Sequence, residues 1–406
     1  MKLPVIICVT LYLFSLAFGV FMTAFFRIPA PLIFCFPLIF IFKQQGETSF
    51  LYARELLWIG IAVFLYSVIG LADFNGFAAN MICILLCALY FNYFVGDNLQ
   101  RLKLSIWIFF ALLTFSGIVM VLNHYYGEID GLRALLMGDE VVQSPSGIAL
   151  TQFTFGYQMA ALCCFAFIFV CVYKKHFLLV LLVLMACLLF LFLGMQRSAF
   201  VTFTLVVFLF MLLNYRIKAV ISIAMILLAS FLFFNYVLKD NLGGAENILT
   251  KNEHNDASND RSGLAMENLR IYTEYPFGLI FYGKNWGDVI YRDYVFSSGI
   301  TSHNAYLMFF TYLGPFAGIG LLLAIYYKPI QLFLGSVRYI RKKENALMIC
   351  LCFSFIGICL NALSHNPWLL SADGPTVFLY FSILQLHHIQ TSEVAEDAVL
   401  NPYIYA

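Results

Sequence analysis

Three residues of this 406-residue chain pair reactive side chains with awkward positions. Arg197 stands in the run GMQRSAF, between apolar stretches so tightly joined that 177–213 reads almost continuously, with Gly194 the one break. A charge at the centre of a membrane helix costs roughly 2.5–3.5 kcal/mol on insertion scales, so an arginine there needs a reason. One reading is a short hairpin whose arginine snorkels to the headgroups. The other is an outward-facing anion site, where guanidinium and the free N–H groups of a helix start bind phosphate together. Arg261 follows Asp260, a candidate N-cap, and opens the segment RSGLAMENLRIYTEY. His303 stands where a long polar segment meets the next apolar run. Two cations and an ionisable imidazole suit a pyrophosphate-bearing substrate.

Other residues fit the same task less sharply. Asn304 and Tyr306 follow His303 and are candidate substrate contacts. His365, in Ser364-His365-Asn366-Pro367-Trp368 with Asp373 close by, is a candidate to line the same cavity, and a plain interfacial loop also explains it. Lys284 and Arg292 are candidate further phosphate contacts. Tyr272, Tyr275, Phe281, Tyr282, Trp286, Tyr291 and Tyr294 suit either a sugar-stacking surface or an aromatic belt at a membrane interface. Glu128, Asp130, Asp139 and Glu140 read as a solvated face.

The elements that must hold these residues follow from composition. The chain is 62% hydrophobic and 11% charged, under half the charge of a soluble domain, where about 25% is usual. Too few polar residues remain to cover a water-facing surface, so the chain is read as solvated mostly by lipid. High apolar content, a net charge of +1 and the lack of a heptad or Gly-X-Y period exclude disorder, coiled coil, collagen and nucleic-acid binding. All eleven cysteines lie in apolar runs and read as small buried hydrophobes, not as disulfide or metal ligands. A bilayer core of about 30 Å takes about 20 residues per helix, which predicts an all-α polytopic membrane protein with about 12 transmembrane helices. The predicted spans are 4–24, 30–43, 54–72, 77–95, 103–122, 152–173, 177–194, 197–213, 217–237, 304–326, 346–363 and 371–388. Segment 30–43, short and holding Pro31 and Pro37, has a re-entrant alternative. The apolar run after Lys2 is read as a retained first span, not a cleaved signal.

Loops facing the cytoplasm are enriched in Lys and Arg, and the basic residues alternate as twelve spans with both termini inside require. Lys2, Lys43, Arg54, Arg101, Lys103, Lys174, Lys175, Arg216, Lys218, Lys328, Arg338, Arg341, Lys342 and Lys343 fall inside, fourteen of the twenty-three. Those of 328–343 double as candidate contacts to anionic membrane lipids. Loops 123–151 and 238–303 then face the periplasm or exterior, with Arg197, Arg261 and His303. The organisation is 1–237, about nine spans; 238–303, one large periplasmic loop; 304–390, about three spans; and 391–406, a cytoplasmic tail. Within the large loop, 261–275 carries Leu264, Leu269, Ile271 and Tyr272 and suits a short amphipathic helix lying on the membrane surface. Pro276, Gly278, Gly283 and Gly287 then break the chain into turns.

Over 194–327 the residues resemble the O-antigen ligase/polymerase superfamily. The resemblance rests on Gln196-Arg197-Ser198-Ala199, Asp260-Arg261-Ser262-Gly263-Leu264, Tyr275-Pro276-Phe277-Gly278-Leu279, Ser302-His303-Asn304-Ala305-Tyr306-Leu307 and Tyr312-Leu313-Gly314-Pro315-Phe316-Ala317-Gly318-Ile319-Gly320. The family usually has a second small residue where this chain has Gln196, and often Leu or Ile at Pro315. It implies a GT-C-type integral-membrane glycosyltransferase acting on an undecaprenyl-pyrophosphate-linked glycan at the periplasmic face of the bacterial inner membrane. No nucleotide sugar, metal or other cofactor is implied, and the outer loop has no Asp-X-Asp, its nearest acidic pair being Asp288 and Asp293. By carry-over, His303 is catalytic, as base or as stabiliser of the leaving group, and Arg197 and Arg261 bind pyrophosphate. A Wzy-type polymerase of repeat units leads, with a chain-length regulator as a candidate partner. A ligase onto a lipid A-core acceptor breaks the same bond. A transporter or lipid-linked oligosaccharide flippase is a more distant reading, disfavoured because the polar residues gather at one face.

Overall fold

The computed structural model describes residues 3–20, 30–44, 49–126, 129–138, 146–149, 151–216, 218–221, 261–289, 303–366 and 368–400. Among these there is no strand. The helices are α1 (Leu3–Phe18), α2 (Ala30–Phe40), α3 (Ala53–Val63, widening to a π-helical stretch Phe64–Gly70), α4 (Phe74–Leu89, with a π-helical Tyr90–Val95), α5 (Leu99–Tyr126), α6 (Asp130–Met137), α7 (Gln152–Val172), α8 (Phe177–Leu193), α9 (Arg197–Tyr215), α10 (Arg261–Glu274), α11 (Ala305–Arg338), α12 (Ala346–Asn361) and α13 (Gly374–Leu400). Among the described residues, seven helical segments are long and apolar enough to cross a membrane, as a polytopic membrane protein requires: Ala53–Gly70, Phe74–Val95, Leu99–Tyr126, Gln152–Val172, Arg197–Tyr215, Ala305–Arg338 and Lys343–Asn361. Shorter apolar helices, Leu3–Phe18, Ala30–Phe40 and Phe177–Leu193, lie on the stretches predicted as spans 4–24, 30–43 and 177–194, with 21–24 outside the described residues. The span predicted at 217–237 falls, apart from 218–221, outside the described residues.

Two boundaries move. The predicted inner loop 328–343 is helical as far as Arg338, and the span predicted to end at 388 continues as α13 to Leu400, into the predicted tail. Polar residues in these stretches ended the hydropathy signal without ending the helix, because backbone hydrogen bonding does not depend on an apolar side chain.

The core is built around α7, buried on nearly every side. Small residues let α12 approach it closely: Ser354 donates to the Ala161 carbonyl at 2.8 Å, and a Cβ on Gly357 would lie 2.8 Å from Cys164 Sγ. α8 shows the opposite pattern. Leu178, Leu182, Met185 and Leu189, at helical spacing, are all exposed. An apolar stripe of that length faces lipid readily and water only at high cost. All eleven cysteines are free, and eight are buried.

α11 is two helices joined at a kink. Gly314 has φ +73° and ψ 176°, and Pro315, which needs no amide hydrogen bond, starts the second half. The turn Tyr275-Pro276-Phe277-Gly278 packs into this kink. A Cβ on Gly314 would lie 1.9 Å from the Phe277 carbonyl oxygen, and one on Gly278, itself at φ +93°, 2.2 Å from the Gly314 nitrogen. Backbone thus meets backbone where no side chain fits.

The helix expected over 261–275 also has a protein-facing side. α10 forms where predicted, but its buried stripe is Leu264, Glu267, Asn268 and Ile271, and Leu269 is exposed. Asn268 donates to Met308 Sδ at 3.2 Å and accepts from the Thr311 hydroxyl, so the stripe docks on α11. Half of it is polar, which suits a hydrogen-bonded protein contact better than an acyl-chain surface. Asn268 meets Met308 and Thr311 while Gly278 meets Gly314, so α10 and α11 run in the same direction.

Candidate functional site

Four helices begin at one place. Phe153, in the first turn of α7, stacks on the His303 ring at 5.5 Å and meets the His365 ring edge-on at 5.1 Å. Ser198, in the first turn of α9, lies with Oγ 2.6 Å from His365 Nε2. Asn304 caps α11, its Oδ1 accepting the Leu307 N–H at 3.0 Å, and the Ala305 N–H donates to the carbonyls of both Ala362 and His365. Asp373 caps α13, accepting the Thr376 hydroxyl at 2.6 Å and the Thr376 N–H at 3.2 Å. Each helix start brings the positive end of a dipole, and α9, which has no side-chain cap, is the start best suited to an anion.

Arg197 is the first residue of α9 and half-buried, with its cation at that converging end. Arg341 braces the other end of the same helix, donating to the Asn214 carbonyl at 2.5 and 3.1 Å. Nineteen residues of α9, about 28 Å at 1.5 Å per residue, separate Arg197 from the basic 338–343 cluster. That is close to the thickness of a hydrocarbon core.

The backbone is strained here. His303 has φ +52°, Met195 φ +53° and Ala372 φ +49°. These make up three of the six non-glycine residues with positive φ among those described, and each lies within two residues of Arg197, His303 or Asp373. Such conformations cost on the order of 1–3 kcal/mol and persist only where surrounding contacts impose them, most often at functional sites.

The other expected site residues divide. His365 is brought against Ser198, Phe153 and Tyr157, whose ring is 6.0 Å from it. Tyr306 donates to the Cys359 carbonyl at 3.0 Å and packs edge-on against the buried Trp368, so with Asn304 it braces the strand of chain holding His303. Arg261 opens α10. Lys284 is exposed in the turn after Leu279–Tyr282. Arg292 lies outside the described residues, as do Glu128, Asp139, Glu140, Tyr291, Asp293 and Tyr294. Asp130 is exposed, as expected of a solvated face, but also pairs at 2.7 Å with the fully buried Arg133, which donates to the Gly147 carbonyl as well.

No protein-family model matches the sequence, and no curated protein matches it. The site therefore stands on its geometry. Ser198, Phe153, Tyr157, Gln196 and Asn361 were not picked out from sequence. Asn361 is fully buried with neither side-chain polar atom hydrogen-bonded among the described residues, and the Tyr157 hydroxyl is in the same condition. Gln196 Oε1 and Asn361 Nδ2 both reach toward Gly156, one residue from Tyr157. Gln196 donates to the Gly194 carbonyl at 2.8 Å, but a buried polar group left unpaired costs about 1–3 kcal/mol, so the Asn361 amide and the Tyr157 hydroxyl are candidate partners for polar groups of a substrate. Ser198 and Gln196 had a signal in sequence, their places on either side of Arg197.

Proposed function

We propose that the chain is a multi-pass glycosyltransferase of the bacterial inner membrane that joins undecaprenyl-pyrophosphate-linked repeat units into O-antigen or a related surface polysaccharide. The observation that carries this reading is that Phe153 holds the His303 and His365 rings together and that Ser198, the neighbour of Arg197 at the start of α9, meets His365. Such a place stabilises a pyrophosphate leaving group with fixed protein charges and dipoles. The acceptor hydroxyl attacks the anomeric carbon, the bond from that carbon to the pyrophosphate oxygen breaks, and the electron pair leaves with the pyrophosphate, inverting the centre. Arg197 and Arg261 hold the phosphates, and His303 is the catalytic residue. The basic cluster around Arg341, at the far end of α9, supports a periplasmic site by the positive-inside rule.

The test is an assay of purified protein with lipid-linked repeat units, with and without lipid A-core. Longer lipid-linked glycan without core is the expected result. Product only with core would make the protein a ligase, and no glycosyl transfer under either condition would end the reading. Arg197→Lys keeps the charge but loses the planar fork that grips phosphate oxygens in pairs, so turnover should fall about 10²-fold. Unchanged kinetics would return Arg197 to the role of a snorkelling interfacial residue.

A further inference from the structure

We propose that Ser198 and His365 form the proton relay of this site: the acceptor sugar hydroxyl passes its proton to the Ser198 oxygen as the Ser198 proton moves to His365 Nε2. This rests on the glycosyl-transfer reading. Four observations carry it. The Ser198 Oγ to His365 Nε2 distance of 2.6 Å is that of a short, well-formed hydrogen bond between a hydroxyl and an acceptor nitrogen. The two accessibilities differ: His365 is 3% exposed, while Ser198 is only half-buried. A substrate hydroxyl thus meets the serine before it can meet the imidazole, and a buried base needs an intermediary. The ring is also held. Phe153 and Tyr157 pack against it, and the His365 carbonyl accepts the Ala305 N–H. Lastly, Ser198 adjoins Arg197, so the relay opens beside the phosphate-binding cation.

The proton balance closes. The acceptor O–H bond breaks as its oxygen bonds to the anomeric carbon, Ser198 is regenerated, His365 becomes imidazolium, and the pyrophosphate departs with the electron pair. The imidazolium forms among Arg197 from α9, His303 from the junction before α11, Tyr157 from α7, and Asp373 at the α13 cap, which is close enough to Tyr157 for its charge to act there. Arg197 and a protonated His303 oppose the new charge, and Asp373 favours it. With His365 taking the proton, His303, stacked on the other side of Phe153, is left to the leaving group.

Two measurements on the full chain in nanodiscs test this. The first is ¹⁵N NMR of the histidine-labelled protein without substrate near pH 8. An unprotonated, hydrogen-bond-accepting Nε2 on His365 is expected, and its loss in Ser198→Ala assigns the donor. A protonated Nε2 there would overturn the relay whatever the protein acts on. The second is turnover of undecaprenyl-pyrophosphate-linked repeat units extracted from a strain lacking the chain. Ser198→Ala should lower kcat about tenfold or more, Ser198→Thr should keep activity, and His365→Gln should lower kcat by about 10²-fold. His365→Gln should also abolish the acidic limb of the kcat/KM profile. A purely structural His365 would change thermal stability or KM and leave that limb in place, which overturns the relay. Wild-type turnover with both alanine and glutamine variants fully active also overturns it, while leaving glycosyl transfer standing. A wild type that transfers no glycan removes the reading, and the relay with it.

Discussion

Replacing His303 with asparagine should leave the protein folded and cut turnover of lipid-linked repeat units by roughly 10²–10⁴-fold, the usual contribution of a positioned acid–base group. Asparagine is chosen for the backbone. His303 has φ +52°, a left-handed conformation that asparagine adopts more readily than alanine or any β-branched residue. It therefore removes the titratable ring while sparing the turn into α11, where Asn304 supplies the cap and the Ala305 N–H joins the 362–365 connection. His303→Val would add backbone strain and mix a folding defect with a chemical one. Single-turnover kinetics paired with thermal unfolding in detergent separate the two. Wild-type turnover in a folded His303→Asn protein would remove His303 from the chemistry and leave its left-handed turn as architecture.

Gly314→Ala should be the most damaging single-methyl change in the fold. The new Cβ would sit 1.9 Å from the Phe277 carbonyl oxygen, at a residue with φ +73°. The left-handed backbone alone costs about 1–2 kcal/mol for a non-glycine residue, and forcing two backbones apart adds about 1–3 kcal/mol. The sum, about 2–5 kcal/mol, is a large part of a typical folding free energy. Gly278→Ala should behave alike, because its Cβ meets the same crossing from the other side at φ +93°. Gly320→Ala, six residues along the same helix, is the control: its Cβ meets nothing within 4 Å, and alanine is the better helix former. Denaturation midpoints of the variants decide the matter. Near-equal loss at Gly314 and Gly320 would mean that the crossing does not hold the 275–278 turn in place. Loss of that crossing should also free α10, which docks on α11 through Asn268, and so weaken the placement of Arg261.

Much of the architecture was legible in the chain because lipid imposes simple rules. Apolar runs of span length marked the helices, and their breaks fell close to the observed ones: Gly194 ends α8, and Arg197 opens α9. α10 is described from Arg261, and the candidate cap Asp260 lies outside the described residues. Its docking was less legible, because Leu264 and Ile271 look the same in sequence whether they meet acyl chains or another helix. Polar Glu267 and Asn268 on the buried stripe show that it is protein that they meet. The helical continuation to Arg338 and Leu400 was hidden for a related reason, since hydropathy reports the solvent of a helix and not its hydrogen bonds.

The sequence by itself determined that lipid is the main solvent, where most helices lie, and which few charges demand explanation, since each of these depends on local composition. Only the tertiary structure decided which residues meet. Ser198 and His365 are 167 positions apart, and Phe153 precedes both histidines it touches by more than a hundred. No helical or strand period links such positions; they are joined by the packing of α7, α9 and α12 through small residues. The crossing of Gly278 with Gly314 is of the same kind. Each glycine alone reads as a turn or a flexible point, and the reason for both is a contact between backbones that exists only after the chain has folded.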